Sequence, residues 1–184
     1  MDIKEVELKQ VRKFIETHHY SRNVNGLKVS KCYGLYIENE LKGALLFGQL
    51  STTAWKKYAT NEKDVVELRR MVVLDDMPKN TGTFFLSKAI KMIKKSTKFK
   101  IIVSYADPYH GHCGIIYQAA NWSYWGETAT DVLLKTPEGK LYHSRAMRTK
   151  YKGKLKPFAE RLVALEKGGL LEKVNIPGKH VYIY

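Results

Sequence analysis

The segment Ser104–Gly126 (SYADPYHGHCGIIYQAANWSYWG) constrains the fold most, because it predicts a strand, a loop, a helix and a second strand with almost no spacer. The apolar and β-branched residues of Lys100–Ala106 predict a buried strand. Asp107 and Pro108 end that strand, since proline has no N–H to donate to a ladder. In open α/β sheets, ligands bind at the carboxyl ends of strands, so we expect the functional site here.

The loop and short helix that follow this strand carry a cluster of reactive side chains. Gly111 and Gly114 bracket the start of the helix, which contains Tyr117 on a largely apolar background. A metal site is one reading of the loop, but the spacing matches no standard zinc pattern. Its candidate ligands would be Asp107, His110, His112 and Cys113, with His18 or His19 as further ligands. His112 could instead hold the loop or contact substrate.

The net charge of +14 is unusual for a chain of 184 residues and favours a polyanionic partner, most simply nucleic acid. A protein that is merely basic is the alternative. Two cysteines, Cys32 and Cys113, do not make a disulfide framework, so we expect a reducing compartment, the cytoplasm. The N-terminus lacks a signal-peptide core and no apolar run could span a bilayer, so we expect no membrane partner.

Upstream of this segment, hydrophobic spacing predicts a first helix over Lys4–His18 and a hairpin of strands Tyr33–Ile37 and Ala44–Gln49. A long strand is predicted over Val65–Leu74, and its alternation places Arg69 and Arg70 on opposite faces. An arginine in such a strand needs an anionic partner or water. A ligand phosphate, a catalytic carboxylate or, as a purely structural partner, Glu67 would serve.

A second helix is predicted from about Thr83 to Lys95, and its start is a candidate phosphate or pyrophosphate site because the first N–H groups of a helix have no partner within it. The motif is short and occurs before many helices. The candidate cofactor-binding residues are Lys79, Asn80, Thr81, Gly82 and Thr83.

Aromatic side chains among cations suit a surface that stacks on bases and neutralises phosphates. The candidates for substrate or DNA contact are His19, Tyr20, Trp55, Lys56, Lys57, Tyr105, His112, Arg145 and Arg148. The alternatives are that Trp55 covers the core and that His19 marks a partly buried helix end.

The C-terminal part of the chain is basic and predicts a nucleic-acid-facing flank or a solvated cap. Leu141–Arg148 is expected as the second strand of a hairpin and Tyr151–Lys156 as a linker. A last helix should begin at Pro157, and the terminal HVYIY should add an edge strand. We expect a catalytic domain over residues 1–150, with residues 151–184 as a basic extension packed on the same domain.

The order of elements resembles the GNAT acyltransferase fold, an α+β (α/β) arrangement with a mixed central sheet, splayed strands and flanking helices. Within that superfamily, ELRRMVV, PKNTGTFFLSKAI, SYADPYHGHCGIIYQAANW and YHSRAMR resemble the phage Mom family, from roughly His18 to Arg148. The resemblance implies a transferase that adds a carbamoylmethyl group to adenine N6 in double-stranded phage DNA and protects it from host restriction. It leaves open whether acetyl-CoA or a related donor is used, because KNTGTF replaces the usual glycine-rich loop, and whether iron is needed.

By the same resemblance, the catalytic candidates are Tyr33 or Tyr36, Arg70 or Arg69, Asp107 and Tyr117. Asp107 would accept the proton of the weakly nucleophilic N6 amine, Tyr117 would protonate a leaving group, and Arg70 would hold the donor or orient Asp107. The adenine would have to be flipped out of the duplex or caught unpaired.

Purely structural roles also stay open for these residues, since Asp107 could merely cap the helix at His112 and Tyr117 could be a packed aromatic. Two other functions also stay open. One is a GNAT acyltransferase acting on a protein, tRNA or small amine, and the other is a non-catalytic nucleic-acid-binding protein.

Overall fold

The computed structural model describes residues 1–51 and 53–184. In chain order the strands are β1 (Asp2–Val6), β2 (Val29–Ile37), β3 (Glu40–Gly48), β4 (Val65–Val73), β5 (Ile101–Ala106), β6 (Ser123–Glu127), β7 (Asp131–Lys135), β8 (Leu141–His143), β9 (Lys150–Tyr151), β10 (Lys154–Leu155), β11 (Glu172–Ile176) and β12 (His180–Ile183). The α-helices are α1 (Leu8–His18), α2 (Thr81–Ser96), α3 (Ile115–Ala119) and α4 (Pro157–Lys167).

Seven strands form a mixed central sheet in the order β1-β2-β3-β4-β5-β12-β6. The pairs β1–β2, β2–β3, β3–β4 and β5–β12 are antiparallel, whereas β4 and β5 run parallel. The chain leaves this sheet after β6 and returns to it as β12. The mixed sheet with flanking helices confirms the predicted fold class.

Two helices cover opposite faces of the sheet because alternate side chains of β3 point in opposite directions. Leu45 and Phe47 pack with the apolar face of α2, whose buried apolar residues are Phe85, Leu86, Ala89, Ile90 and Ile93. Ala44 and Leu46 pack with Val11 and Ile15 of α1.

The chain forms two compact units, one of residues 1–126 with 180–184 and one of residues 127–179. The second unit contains a three-stranded antiparallel sheet in the order β11-β7-β8, the helix α4 and the β9–β10 hairpin. Its buried core includes Leu134, Ala159, Leu162 and Ile176. The division of the chain into a catalytic domain and an extension at residue 150 stays a prediction.

The predicted helix Lys4–His18 is too long, because residues 2–6 form β1 and pair with β2 from Asp2 opposite Tyr36 to Val6 opposite Cys32. The helix begins only after Glu7, whose side chain and that of Gln10 form a reciprocal capping box. Pairing with β2 therefore outweighs the helical propensity of the first residues.

The C-terminal predictions need three corrections. The segment 144–148 is a 3-10 helix instead of a continuation of β8, and the expected linker forms the hairpin of β9 and β10. The terminal strand β12 lies inside the sheet, between β5 and β6, and not at its edge. In the part of the chain that the structure describes, no helix has the length and apolar character needed to cross a bilayer.

Candidate functional site

A cavity of about 520 Å³ opens where β4 and β5 separate. The two strands pair from Val65 opposite Ile101 to Leu68 opposite Ser104, and β4 then continues to Val73 with β3 as its partner on the other side. Residues 69–73 of β4 line one wall, while Tyr105 and Ala106 of β5 line another. The separation therefore creates both the space and a strand edge along which an extended ligand could bind.

Tyr117 on α3 lines this cavity and is held by Ser104 of β5. The Ser104 hydroxyl donates to the Tyr117 oxygen over 2.8 Å. Burial raises the pKa of Tyr117 to about 12, although the Ser104 hydrogen bond opposes part of that rise. The phenol is therefore protonated at neutral pH, and Ser104 is placed to stabilise the phenolate that would form if it gave up its proton.

The start of α3 packs against Tyr182 of β12, a residue that no motif in the sequence marks. Gly114 has φ +78° and a Cβ at this position would overlap the Tyr182 ring. The Tyr182 hydroxyl donates to the Cys113 carbonyl over 3.0 Å and accepts from Gln118 over 2.9 Å. Gly114 before a helix was the available signal for a close approach, but its partner lies far along the chain.

Arg70 fixes the loop that follows α1. Its Nε and Nη2 donate to the Asn23 carbonyl over 3.1 and 2.9 Å, and its Nη1 donates to the Arg69 carbonyl over 2.6 Å. Burial lowers the pKa of Arg70. On the opposite face of β4, Arg69 pairs with Glu67 at 2.7 Å, which is the structural pairing the sequence allowed.

His19 is buried in that same loop and lines the cavity. Its Nδ1 accepts the Ser21 backbone N–H over 3.1 Å, which leaves Nε2 to carry the proton of the neutral ring. Burial, together with the charges of Arg70, His112 and His110, lowers the pKa of His19 to about 4. At neutral pH this histidine is therefore a hydrogen-bond donor through Nε2.

Tyr20 connects the loop after α1 to the loop after β5. Its ring centroid lies 4.3 Å from those of both His19 and His110, and 5.0 Å from that of His112. Tyr20 is 43% exposed, so this aromatic cluster borders the cavity and also meets solvent. It offers a flat surface of the kind on which a base can stack.

Asp107 is 5% exposed and caps the 3-10 helix Pro108–His110 by accepting the Tyr109 N–H over 3.2 Å. Its backbone carbonyl accepts from the N–H groups of His110 and His112. Among the described residues that line the cavity, Asp107 is absent, although its neighbour Ala106 is present. The alternative of a cap is thus seen in the structure, one helix earlier than expected, and the catalytic role stays a prediction.

The start of α2 borders the cavity through Gly82. Asn80 has φ 68° and its side chain makes no capping hydrogen bond to the helix. Lys79 and Asn80 are exposed, Thr81 is buried with its hydroxyl donating to Pro78, and Thr83 is half-buried in the first turn. The candidate cofactor residues therefore form a continuous turn at the edge of the cavity.

Other candidates are not among the described residues that line the cavity. Tyr33 is fully buried in the core, where burial raises its pKa to about 12, and Tyr36 lies on β2 under Lys4. Trp55 packs, as do Tyr58 and Tyr105, against a separate buried cluster of Leu50, Val65, Val103 and Val181. The covering alternative is thus seen in the structure, and the contact of Trp55 with DNA stays a prediction. Exposed positions outside the cavity are occupied by Lys56, Lys57, Arg145 and Arg148.

Tyr105 contacts both the cavity and the apolar cluster near Trp55. It lines the cavity, and its hydroxyl shares a 2.9 Å hydrogen bond with the Tyr58 hydroxyl. Burial raises the pKa of Tyr105. Over residues 1–51 and 53–184, no group of three or more His, Cys, Asp and Glu side chains could hold a metal ion. The residues present thus do not form the iron site that the resemblance left open.

The fold defines a GNAT-type acyltransferase architecture. An IAA acetyltransferase from Bacillus cereus aligns with 99% of this chain and 97% of its own at a TM-score of 0.57 and 9% identity. An N-acetyltransferase from Staphylococcus aureus aligns with 100% of this chain and 96% of its own at a TM-score of 0.54 and 12% identity. An aminoglycoside acetyltransferase in complex with coenzyme A aligns with 79% of this chain and 96% of its own at a TM-score of 0.52 and 12% identity.

Sequence comparison places the chain more narrowly. The model of the Mom protein family matches residues 1–184, so the chain belongs to that family, and the predicted resemblance is confirmed. It is 30% identical over 149 residues to the methylcarbamoylase Mom of Escherichia phage Mu. The matched segment covers 77% of this chain and 59% of the phage Mu protein, so the chain spans about three fifths of that relative.

Proposed function

We propose that the protein is a transferase that adds a carbamoylmethyl group to N6 of adenine in DNA. The observation that carries this proposal is the match to the Mom family over the whole chain. The name of the phage Mu relative, a methylcarbamoylase, supports the chemistry of the transferred group. In a phage-infected cell, this modification of adenine would give DNA in the host cytoplasm that host restriction enzymes cleave poorly.

The charge of the cavity supports an anionic ligand. Its described lining includes Arg70 and also Arg69, which is paired with Glu67, but no aspartate or glutamate. An adenine flipped from a duplex would bring its flanking phosphates to this opening, and a donor with a pyrophosphate would bring its own. The cluster around Tyr20 would then provide a stacking surface for the extruded base.

The reaction needs a proton acceptor and a proton donor, because the N6 amine loses a proton and the donor loses a leaving group. Tyr117 is the proposed donor, since its raised pKa keeps the phenol protonated and Ser104 would stabilise the phenolate. Asp107 is the proposed acceptor. This role requires the carboxylate to turn from its cap on Tyr109 toward the cavity when substrate binds.

The donor would bind along β4 and at the start of α2. If it carries coenzyme A, the backbone N–H groups of Gly82 and Thr83 would hold the pyrophosphate, and Lys79 would add charge. Coenzyme A would supply a thiol leaving group. An acetyltransferase acting on another amine is the second candidate function, and the separation of β4 from β5 beyond Leu68 is the observation that favours it.

Mass analysis of nucleosides tests the main proposal. Plasmid DNA co-expressed with the protein should contain an adenosine heavier by one carbamoylmethyl group, and DNA from cells with the empty vector should not. An unmodified adenosine profile would contradict the proposal. Thermal stabilisation of the purified protein by acetyl-CoA, with unmodified DNA, would instead support the second candidate.

Asp107→Asn separates catalysis from capping. Asparagine also caps helices, so this variant keeps the side-chain oxygen that accepts from Tyr109 but removes the base. We expect the melting temperature and DNA affinity to be retained and the modified nucleoside to be lost. Full modification by Asp107→Asn would show that Asp107 only organises the loop, and Asp107→Ala would then reveal the stability lost with the cap.

A further inference from the structure

The second unit contains an exposed basic hairpin, residues 150–156, formed by β9 and β10. Lys150 pairs with Leu155 and Tyr151 with Lys154. The two turn residues, Lys152 and Gly153, have φ values of 48° and 80°. Two successive left-handed residues give the tight turn whose twist matches that of paired strands. The hairpin is therefore locally well defined although it is short.

The lysines of the basic hairpin are exposed and lack acidic neighbours. Between Gly139 and Ala159 the sequence contains seven lysines and arginines and no aspartate or glutamate. Within the described residues, none of the hairpin lysines has a carboxylate within ion-pair distance. Lys135 and Lys173 of the same unit, by contrast, pair with Glu172 and Glu166. The hairpin thus holds unneutralised positive charge.

An aromatic residue lies among these charges. Tyr151 is 65% exposed, and the Lys152 ammonium lies 5.6 Å from its ring centroid. A hollow of about 690 Å³ beside the hairpin is lined by this tyrosine, by Leu155 and Pro157, and by Lys152, Lys154 and Lys156. A ring and a hollow flanked by cations match the alternation of sugars and phosphates in a nucleic acid strand better than a run of carboxylates.

We propose that the basic hairpin binds the sugar–phosphate backbone of duplex DNA, with the lysines on phosphates and Tyr151 against a sugar. The identity of the nucleic acid rests on the proposed function. Because phosphate contacts carry no sequence information, the hairpin holds DNA independently of sequence while the cavity selects the adenine. This assigns the second unit a role in binding DNA that is separate from the chemistry.

A matched pair of triple variants tests the assignment. The first is Lys150→Gln/Lys152→Gln/Lys154→Gln in the hairpin. The control is Lys91→Gln/Lys95→Gln/Lys98→Gln, which removes three exposed lysines on and just after α2 and the same charge. DNA affinity is measured for the full chain from 50 to 300 mM salt.

The hairpin variant should reduce the slope of log affinity against log salt by roughly 2 to 3, since each lost phosphate contact contributes about 0.9. At 150 mM salt its affinity should fall about tenfold or more. The control should change the slope by less than about 1. Arginine at the three hairpin positions should restore the slope, and equal effects of hairpin and control variants would overturn the proposal.

Chemical acetylation of lysines in the native protein gives a second measurement. It requires no substitution, so a folding defect of a variant cannot affect it. Duplex DNA should protect Lys150, Lys152 and Lys154 and leave Lys91 and Lys95 reactive. Protection by duplex RNA or polyglutamate, but not by DNA, would overturn the choice of partner. If the protein modifies adenine but the hairpin lysines stay reactive, only this inference fails. If hairpin variants lose DNA affinity but no adenine is modified, only the proposed reaction fails.

Discussion

The Ser104 hydroxyl donates to the phenolic oxygen of Tyr117 over 2.8 Å, joining the last position of β5 that pairs with β4 to the short helix α3. Ser104 is opposite Leu68, the residue after which β4 and β5 separate. The proposed proton donor is therefore anchored at the apex of the cavity, where the sheet itself fixes the position of the hydroxyl.

Removing either partner should lower the rate of DNA modification. Tyr117→Phe should reduce it by about 10²- to 10⁴-fold, the range of general acid catalysis. Ser104→Ala should reduce it by about tenfold or more, since a hydrogen bond to a charged group contributes roughly 1.5 to 3 kcal/mol. Rates are measured as modified nucleoside formed per unit time on a duplex substrate.

The double variant decides whether Ser104 acts through Tyr117. If it does, Ser104→Ala should have no further effect in the Tyr117→Phe background, because the phenolate no longer forms. An unchanged tenfold loss in that background would show that Ser104 acts through another group. Melting temperatures of all variants serve as the control for damage to the core.

The close contact between Gly114, at the start of α3, and Tyr182 gives a prediction for stability. Gly114→Ala combines left-handed strain with overlap of the Tyr182 ring, and should destabilise the protein by about 3 kcal/mol. Gly111→Ala is the matched control, since Gly111 has φ +76° but no atom within 4 Å of an added Cβ. It should lose only about 1 kcal/mol. Differential scanning calorimetry should show melting temperature decreases of roughly 10 °C and 3 °C.

A compensating change separates the two causes. Tyr182→Leu in the Gly114→Ala background should recover part of the lost stability, because the overlap is relieved while the strain remains. If Gly111→Ala and Gly114→Ala are equally destabilising, the close approach of Tyr182 to Gly114 is not a determinant of stability.

Arg70 should control the order of the loop after α1. Arg70→Lys loses the forked pair of N–H groups on the Asn23 carbonyl, a geometry that an ammonium does not reproduce. We expect faster amide hydrogen exchange over residues 19–25 and a loss of modification activity of about ten- to a hundredfold. Arg69→Lys, whose partner is Glu67, should leave the exchange of this loop unchanged, and similar exchange in both variants would contradict the assignment.

The run from β4 through α3 could be predicted from sequence because its signals are local. Alternation over Val65–Val73 and helical spacing over Thr81–Ser96 each lie within one element. The inner position of β12 and the contact of Tyr182 with Gly114 could not be predicted, since they join residues far apart in the chain. The strand β1 could not be predicted because its residues also fit a helix. Only pairing with β2 favours the strand over the helix.

The buried His19 predicts a pH dependence of folding. Its pKa is about 4 in the folded protein and about 6.5 in an unfolded chain. Well above pH 6.5 the His19 ring is neutral in both the folded and the unfolded state, so it adds no pH dependence to the free energy of unfolding. As the pH falls from 6.5 toward 4, the unfolded state binds a proton that the folded state refuses, and stability should fall by up to about 3 kcal/mol. Urea denaturation midpoints between pH 7 and 4 measure this loss.

His19→Asn isolates the contribution, because an asparagine oxygen can still accept the Ser21 N–H that Nδ1 accepts in the native protein. The difference in unfolding free energy between native protein and variant should shrink as the pH falls below 6.5. His18→Asn changes the exposed neighbouring histidine and serves as the control for replacing a histidine in this segment. Identical profiles for native protein and His19→Asn would mean that His19 accepts a proton as readily when folded, and hence that its ring is not the neutral donor placed at the cavity.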